Sequence, residues 1–101
     1  MPVTLQRQES TWLIRLEGRV TLTSAAELKE VLLEWLSAGK NLELDLEPAE
    51  EIDITIMQLL WAAGREAART GVKILIHRSS AVAMAIRDAG FDQLPGFPVS
   101  E

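Results

Sequence analysis

One short stretch of the chain, residues 51–58, places an acidic side chain and a hydroxyl at the start of a predicted helix. Asp53 and Thr55 are the two residues concerned. A helix N-terminus has free N–H groups and a partial positive charge, so it stabilises an oxyanion or a phosphoryl group. Phosphorylation of a hydroxyl at this turn would add close to two negative charges where a partner could dock. The residue types therefore indicate a docking site or a phosphorylation switch.

Thr55 admits two interpretations. Thr55 and Gln58 have the spacing of a capping box, in which the threonine side chain stabilises the first turn of the helix. Alternatively, the Thr55 hydroxyl is a phosphorylation site. Asp53 competes with Thr55 for the capping position, and otherwise it stabilises the positive end of the helix through its charge. We expect a structural role for Asp53.

Residues that would support catalysis or metal binding are scarce. The chain has no cysteine and a single histidine, His77, which we expect to be a solvated loop residue. The glycines do not form a phosphate-binding loop, and no spacing joins a nucleophile to a base. We therefore expect no catalytic residue, no metal site, no cofactor and no enzymatic activity. A sensor that binds a small anion at the same turn stays as an alternative.

The composition limits the partners further. The 101 residues include 10 Lys and Arg against 15 Asp and Glu, which gives a net charge of -5. Nucleic acid is not an expected partner, because phosphate binding needs clustered basic side chains. No apolar run reaches the roughly 20 residues that span a bilayer, and the N-terminus does not resemble a signal peptide. We expect a single cytoplasmic domain over residues 1–101, without membrane insertion.

The hydrophobic periodicity predicts an α/β fold. Four segments are predicted as strands, namely Val3–Gln8, Trp12–Glu17, Leu42–Leu46 and Val72–Ile76, and three as helices, namely Thr21–Gly39, Ile56–Thr70 and Ser80–Ala89. The acidic segment Glu47–Glu51 is predicted to be a loop. The order β-β-α-β-α-β-α implies a mixed four-stranded sheet with helices packed on it.

The predicted second helix is apolar over about 200° of its circumference, whereas a core-facing stripe needs only somewhat more than ~100°. Its flanks, with Met57 and Trp61 on one side and Leu59 on the other, are expected to reach the surface beside Ile54. Such an exposed apolar cluster is typical of a partner site. The alternative is that all of these side chains belong to the core.

The order and spacing of these segments resemble the STAS family, the anti-sigma-factor antagonists and their relatives. The resemblance covers about residues 3–97. It rests on Ile52-Asp53 and Leu59-Leu60 at the turn, on Gly71–Ile76 as the last strand, and on residues 79–91 as the closing helix and its glycine cap. It implies a STAS-like domain in a bacterial signalling or transcription-regulating protein.

The chain departs from the family at the turn itself. The family residue that a kinase phosphorylates directly follows the aspartate, and Ile54 occupies that position without a hydroxyl; Ile56 stands where the family has glycine. The resemblance therefore implies an interaction module that does not depend on phosphorylation there. The partner-binding residues would be Asp53, Ile54, Thr55, Ile56, Met57 and Trp61, and Met57→Glu would abolish binding without unfolding the domain.

The partners that the resemblance implies are an anti-sigma factor or another kinase-like ATPase, a transport ATPase or a chemotaxis kinase. Two alternatives stay open beside the phosphorylation-independent module. One is an anti-sigma-factor antagonist that is switched through Thr55. The other is an accessory subunit of a lipid-transport ABC ATPase.

Overall fold

The computed structural model describes residues 3–88 and residue 90. The strands are β1 (Val3–Gln6), β2 (Thr11–Leu16), β3 (Gly18–Val20), β4 (Asn41–Asp45), β5 (Ala49–Ile52) and β6 (Ile74–His77), and the helices are α1 (Ala25–Ala38), α2 (Ile54–Thr70) and α3 (Ser80–Asp88). The last residue of the predicted third helix, Ala89, and the end of the predicted domain core, residues 91–97, lie outside the described residues. None of the described helices is long and apolar enough to cross a membrane.

The main sheet has four strands in the order β1-β2-β4-β6. β1 is antiparallel to β2, whereas β2–β4 and β4–β6 are parallel. The predicted mixed α/β sheet is therefore confirmed. Alternate residues of β2 and β4, such as Ile14 and Leu44, are fully buried against the helices. Because successive side chains of a strand point to opposite faces, the other face of this sheet carries polar residues such as Arg15 and Glu43, together with Leu13 and Leu75.

A second, two-stranded parallel sheet joins β3 to β5. The prediction that Glu47–Glu51 is a loop is thus wrong for its second half, because Ala49 and Ile52 are buried while the two glutamates between them stay exposed. Gly18 has a φ of 67°, which lets the chain leave β2 and enter β3 at once. Its N–H donates to the carbonyl of Pro48 at 3.0 Å.

The helices lie on one side of the main sheet, where α1 packs against α2 and α3 packs against β5 of the small sheet. α1 buries Leu28, Leu32 and Trp35, and the Trp35 indole N–H donates to the Lys40 carbonyl at 2.7 Å. Trp12 and Trp35 both belong to the buried core. α2 lies next to α1 and buries six residues, namely Ile56, Met57, Leu60, Ala63, Gly64 and Ala67. α2 is therefore held on its inner side along most of its length.

Candidate functional site

The turn between β5 and α2 is fixed by Asp53. This residue has extended backbone angles and caps α2: its Oδ1 accepts a hydrogen bond from the Ile56 N–H at 3.2 Å. Its own N–H donates to the Val20 carbonyl of β3 at 3.1 Å. The start of α2 is thereby tied to the small sheet. The expected structural role of Asp53 is confirmed, and α2 begins at Ile54, two residues before the predicted start.

Thr55 is the second residue of α2, and its side chain is half-buried. The interpretation of Thr55 as the helix cap is therefore wrong. A capping residue precedes the helix with non-helical backbone angles, and Asp53 holds that position. The other interpretation, phosphorylation of the Thr55 hydroxyl, stays a prediction.

The first turn of α2 separates its apolar residues into one exposed and two buried side chains. Ile54 is 53% exposed, whereas Ile56 is 0% and Met57 is 4% exposed. The expectation that Met57 reaches the surface is wrong, because a 100° step per residue turns Ile56 and Met57 toward the sheet and α1. Ile56 and Met57 therefore offer no accessible surface for the predicted partner contacts in this conformation. Ile54 keeps its accessible position.

The outward side of α2 carries five residues at a regular spacing, Ile54, Gln58, Trp61, Arg65 and Arg69, which we call the α2 ridge. Their spacing of i, i+4, i+7, i+11 and i+15 confines them to an arc of about 80°. Trp61 is half-buried, and the Arg65 guanidinium lies over its ring, 4.9 Å from the centroid. The predicted surface position of Trp61 is confirmed in part. Leu59 is half-buried against the core.

Leu22 is a second exposed apolar residue at this end of the molecule, and the sequence patterns did not single it out. It is 65% exposed and begins a 3₁₀ turn, Leu22–Ser24, between β3 and α1. Val20 and Ile52 are paired in the small sheet, and Leu22 and Ile54 each follow that pair by two residues. The pairing therefore brings the two turns together. Leu22 and Ile54 are called the strand-end patch below.

The sequence does contain a signal that Leu22 is exposed. It stands among the hydroxyl residues Thr21, Thr23 and Ser24, and it falls outside the helical stripe of Leu28 and its neighbours. The periodicity had placed it inside the predicted helix Thr21–Gly39. In the structure the Thr21 and Thr23 hydroxyls lie 3.0 Å apart, beside the exposed leucine.

The chain that leads into α2 is acidic. Glu47, Glu50 and Glu51 are exposed. Arg19 Nε donates to Glu51 Oε1 at 2.8 Å. This hydrogen bond and the Glu51 charge raise the pKa of the Arg19 guanidinium. The acidic side chains therefore lie on the segment that leads into α2, and the arginines of the α2 ridge lie toward the C-terminal end of the helix.

His77 lies away from this site. It ends β6 and shares the outward face of the main sheet with Leu75, opposite to the helices. Its Nε2 is 2.8 Å from Glu43 Oε2. The expectation of a loop position is thus wrong, because the strand extends one residue further than predicted. The His77 side chain stays 38% exposed beside Glu43. Among residues 3–88 and 90, no three His, Cys, Asp or Glu side chains form a group that could hold a metal ion.

A family model described as "Mlab, STAS domain" matches residues 3–96. The chain belongs to the STAS-domain family. The resemblance drawn from the turn and the closing helix is thereby confirmed, and so is the family's α/β fold. A search of curated proteins found no significant match to this STAS chain.

Solved structures share the fold at low sequence identity. The anti-sigma factor antagonist SpoIIAA in its unphosphorylated form is 14% identical, with a TM-score of 0.75 over 98% of this chain and 89% of that one. A variant of RsbS from Moorella thermoacetica is 24% identical, with a TM-score of 0.76 over 100% and 89%. An anti-sigma factor antagonist from Mycobacterium paratuberculosis is 17% identical, with a TM-score of 0.72 over 97% and 85%.

Proposed function

We propose that this STAS domain is a non-enzymatic adaptor that binds an ATPase or kinase-like protein through the strand-end patch and the adjoining α2 ridge. The observation that carries the proposal is Ile54. It stands directly after the capping Asp53, where it has no hydroxyl to accept a phosphoryl group, and it is 53% exposed. An apolar side chain in this position favours a docking contact that does not depend on phosphorylation.

The rigidity of the turn supports the proposal. Asp53 is bonded both to the first turn of α2 and to β3, so Ile54 is held in one place before any partner arrives. A preformed contact surface loses little conformational entropy on binding. Leu22 enlarges the apolar area beside Ile54, and the exposed carboxylates of Glu50 and Glu51 form a polar rim. An apolar centre with a polar rim is the usual composition of a protein interface.

The relatives support a protein partner. Two of the similar structures are named anti-sigma factor antagonists, and these names indicate regulators that act on other proteins. The second alternative, an accessory subunit of a lipid-transport ATPase, also has a protein partner. The two alternatives predict the same docking surface and differ in the partner. Identification of the partner therefore decides between them.

The experiment is affinity capture from cells of the source organism with tagged wild type, Ile54→Glu and Leu75→Glu, followed by mass spectrometry. Leu75 is the matched control, since it is 51% exposed but lies on the outward face of the main sheet. We expect wild type and Leu75→Glu to retain one ATPase or kinase-like protein and Ile54→Glu to lose at least nine-tenths of it. Equal recovery with Ile54→Glu, or no such protein with wild type, would overturn the proposal.

The alternative, an antagonist that is switched by phosphorylation of Thr55, is tested by a phosphorylation assay rather than by affinity capture. The name of the SpoIIAA structure specifies an unphosphorylated form, which favours testing phosphorylation here as well. The captured kinase-like protein and labelled ATP are incubated with wild type and Thr55→Val. Label on wild type alone would establish the switch at Thr55. Label on neither variant is the result that the phosphorylation-independent adaptor predicts.

A further inference from the structure

The exposed surface that runs from β5 along α2 changes the sign of its charge. Glu47, Glu50 and Glu51 are exposed on the chain that enters the helix, where Glu51 is paired with Arg19, whereas Arg65 and Arg69 are exposed on the ridge near its other end. Ile54 and Arg65 are separated by eleven residues, which is about 16 Å along the helix axis. The acidic end and the basic end are thus two distinct regions of one surface.

The basic end is only partly neutralised within the chain. Arg69 is paired with Glu66 on the same helix at 3.4 Å, a distance at the long end for a hydrogen bond, with both side chains at least half exposed. Arg65 lies over the Trp61 ring rather than against a carboxylate in the described residues. Exposed ion pairs of this kind contribute little, so both arginines can turn to an external carboxylate at small cost.

A second copy of the chain complements this charge distribution when its α2 runs antiparallel to α2 of the first copy. With a two-fold axis beside Trp61, Arg69 of one copy lies level with Asp53 of the other, and the two Trp61 side chains lie next to each other. The acidic end of each copy then faces the basic end of the other copy. Two-fold symmetry produces this attractive contact at two equivalent places in the dimer. A parallel arrangement would place like charges opposite each other.

The apolar residues of the surface fit the same arrangement. Ile54 and Leu22 lie at the acidic end and are both more than half exposed, and Trp61 is half-buried at the middle of the ridge. The antiparallel pair would cover Ile54 with the aliphatic parts of Arg65 and Arg69 from the second copy. Long basic side chains cover apolar surface in this way while their charged ends reach a carboxylate.

We infer that the α2 ridge and the strand-end patch form the interface of an antiparallel two-fold dimer of this chain. The inference goes beyond the proposed adaptor function. Because the dimer covers Ile54, self-association and partner binding exclude each other, and the dimer stores the adaptor in an inactive form. The two claims are tested separately, since the dimer requires only the purified chain.

The test is sedimentation equilibrium of the purified full chain between 1 μM and 1 mM, in 50 mM and 500 mM salt. Two charge-reversed variants are compared with wild type, E50K/E51K at the acidic end and R65E/R69E at the basic end. We expect a wild-type dimer that weakens in high salt, and a dimer dissociation constant at least tenfold higher for each variant. A one-to-one mixture of the two variants should restore a heterodimer, because each supplies the charges that the other lacks.

The matched control is K73E/R87E, which changes the net charge by the same amount as R65E/R69E at exposed positions outside the α2 ridge. It should dimerise as wild type does, and circular dichroism should show native spectra for all variants. A wild-type chain that stays monomeric at 1 mM would overturn the inference. So would a control that dissociates like R65E/R69E, or a mixture that stays monomeric.

The outcomes also separate the two proposals. A monomeric chain that still captures an ATPase through Ile54 overturns the dimer alone. A chain that dimerises as described but captures no ATPase or kinase-like protein overturns the adaptor alone.

Discussion

The two sides of α2 use the same kind of residue for opposite purposes. Ile54 and Ile56 are two positions apart, yet one is 53% exposed and the other fully buried. The inner side holds the helix on the sheet and on α1, whereas the outer side leaves an apolar side chain beside charged ones. The comparison teaches that residue type alone does not decide whether an isoleucine of this helix stabilises the fold or is available to a partner. The side of the helix on which the residue lies decides it.

The largest effect is expected from a charge on the inner side. Met57→Glu would bury a carboxylate among apolar groups, at a cost of several kcal/mol, so we expect the domain to lose its cooperative urea transition. Met57→Leu, of similar volume, should cost less than about 1.5 kcal/mol. A folded Met57→Glu protein with a native near-ultraviolet spectrum would contradict the burial of this side chain and would restore Met57 as a surface residue.

Truncation of Ile54 and of Ile56 compares the outer and the inner side of α2 directly. Ile56→Ala should lower the free energy of unfolding by about 2–5 kcal/mol, because it removes buried methyl groups and leaves a cavity. Ile54→Ala should change it by no more than about 0.5 kcal/mol, as surface substitutions usually do. Urea titration of both variants measures the difference. Equal losses would show that Ile54 also belongs to the core.

Asp53, the helix cap, fixes the first turn of α2, which contains both Ile54 and Ile56. Asp53→Ala should cost about 0.5–2 kcal/mol of stability, since the Ile56 N–H loses its acceptor. Asp53→Asn keeps an acceptor oxygen and should retain most of that stability. Thermal unfolding of the two variants is the measurement. If Asp53→Ala is as stable as wild type, Asp53 does not hold the turn, and its role in positioning Ile54 has to be abandoned.

The smallest effect is expected on the outer side. Arg65→Ala removes the cation–π contact with Trp61, which at an exposed site contributes about 0.5–1 kcal/mol. Arg65→Lys retains a cation and should lose less. Chemical denaturation compares the two variants with wild type. A loss above about 2 kcal/mol for Arg65→Ala would indicate that this side of α2 is structural.

Much of the fold could be predicted because its main elements carry strong periodic patterns. The predicted strand Leu42–Leu46 alternates strictly and overlaps β4 in all but its last residue, and Leu28, Leu32 and Trp35 form one helical stripe on α1. The small sheet was missed for a physical reason. β3 and β5 have three and four residues, and the two central residues of β5 are exposed glutamates. Such strands are stabilised by pairing with each other, which local patterns do not encode.

The candidate site was only partly predictable for the same reason. Asp53 and Ile54 could be singled out from the turn between a strand and a helix. The burial of Met57 depends on which side of α2 packs against α1, a helix that is distant in the sequence. The place of Leu22 beside Ile54 likewise follows from the pairing of β3 with β5. Contacts between distant segments decided both outcomes.

The most direct test of the central claim is site-specific photo-crosslinking in living source cells. A photoreactive phenylalanine analogue is introduced at Ile54, at the start of α2, or at Leu75, on the outward face of the main sheet, two positions of nearly equal exposure. Crosslinked proteins are identified by mass spectrometry. We predict that an ATPase or kinase-like protein crosslinks to position 54 and not to position 75. Crosslinking of that protein to position 75 alone would contradict the account and would place the docking surface on the open face of the sheet.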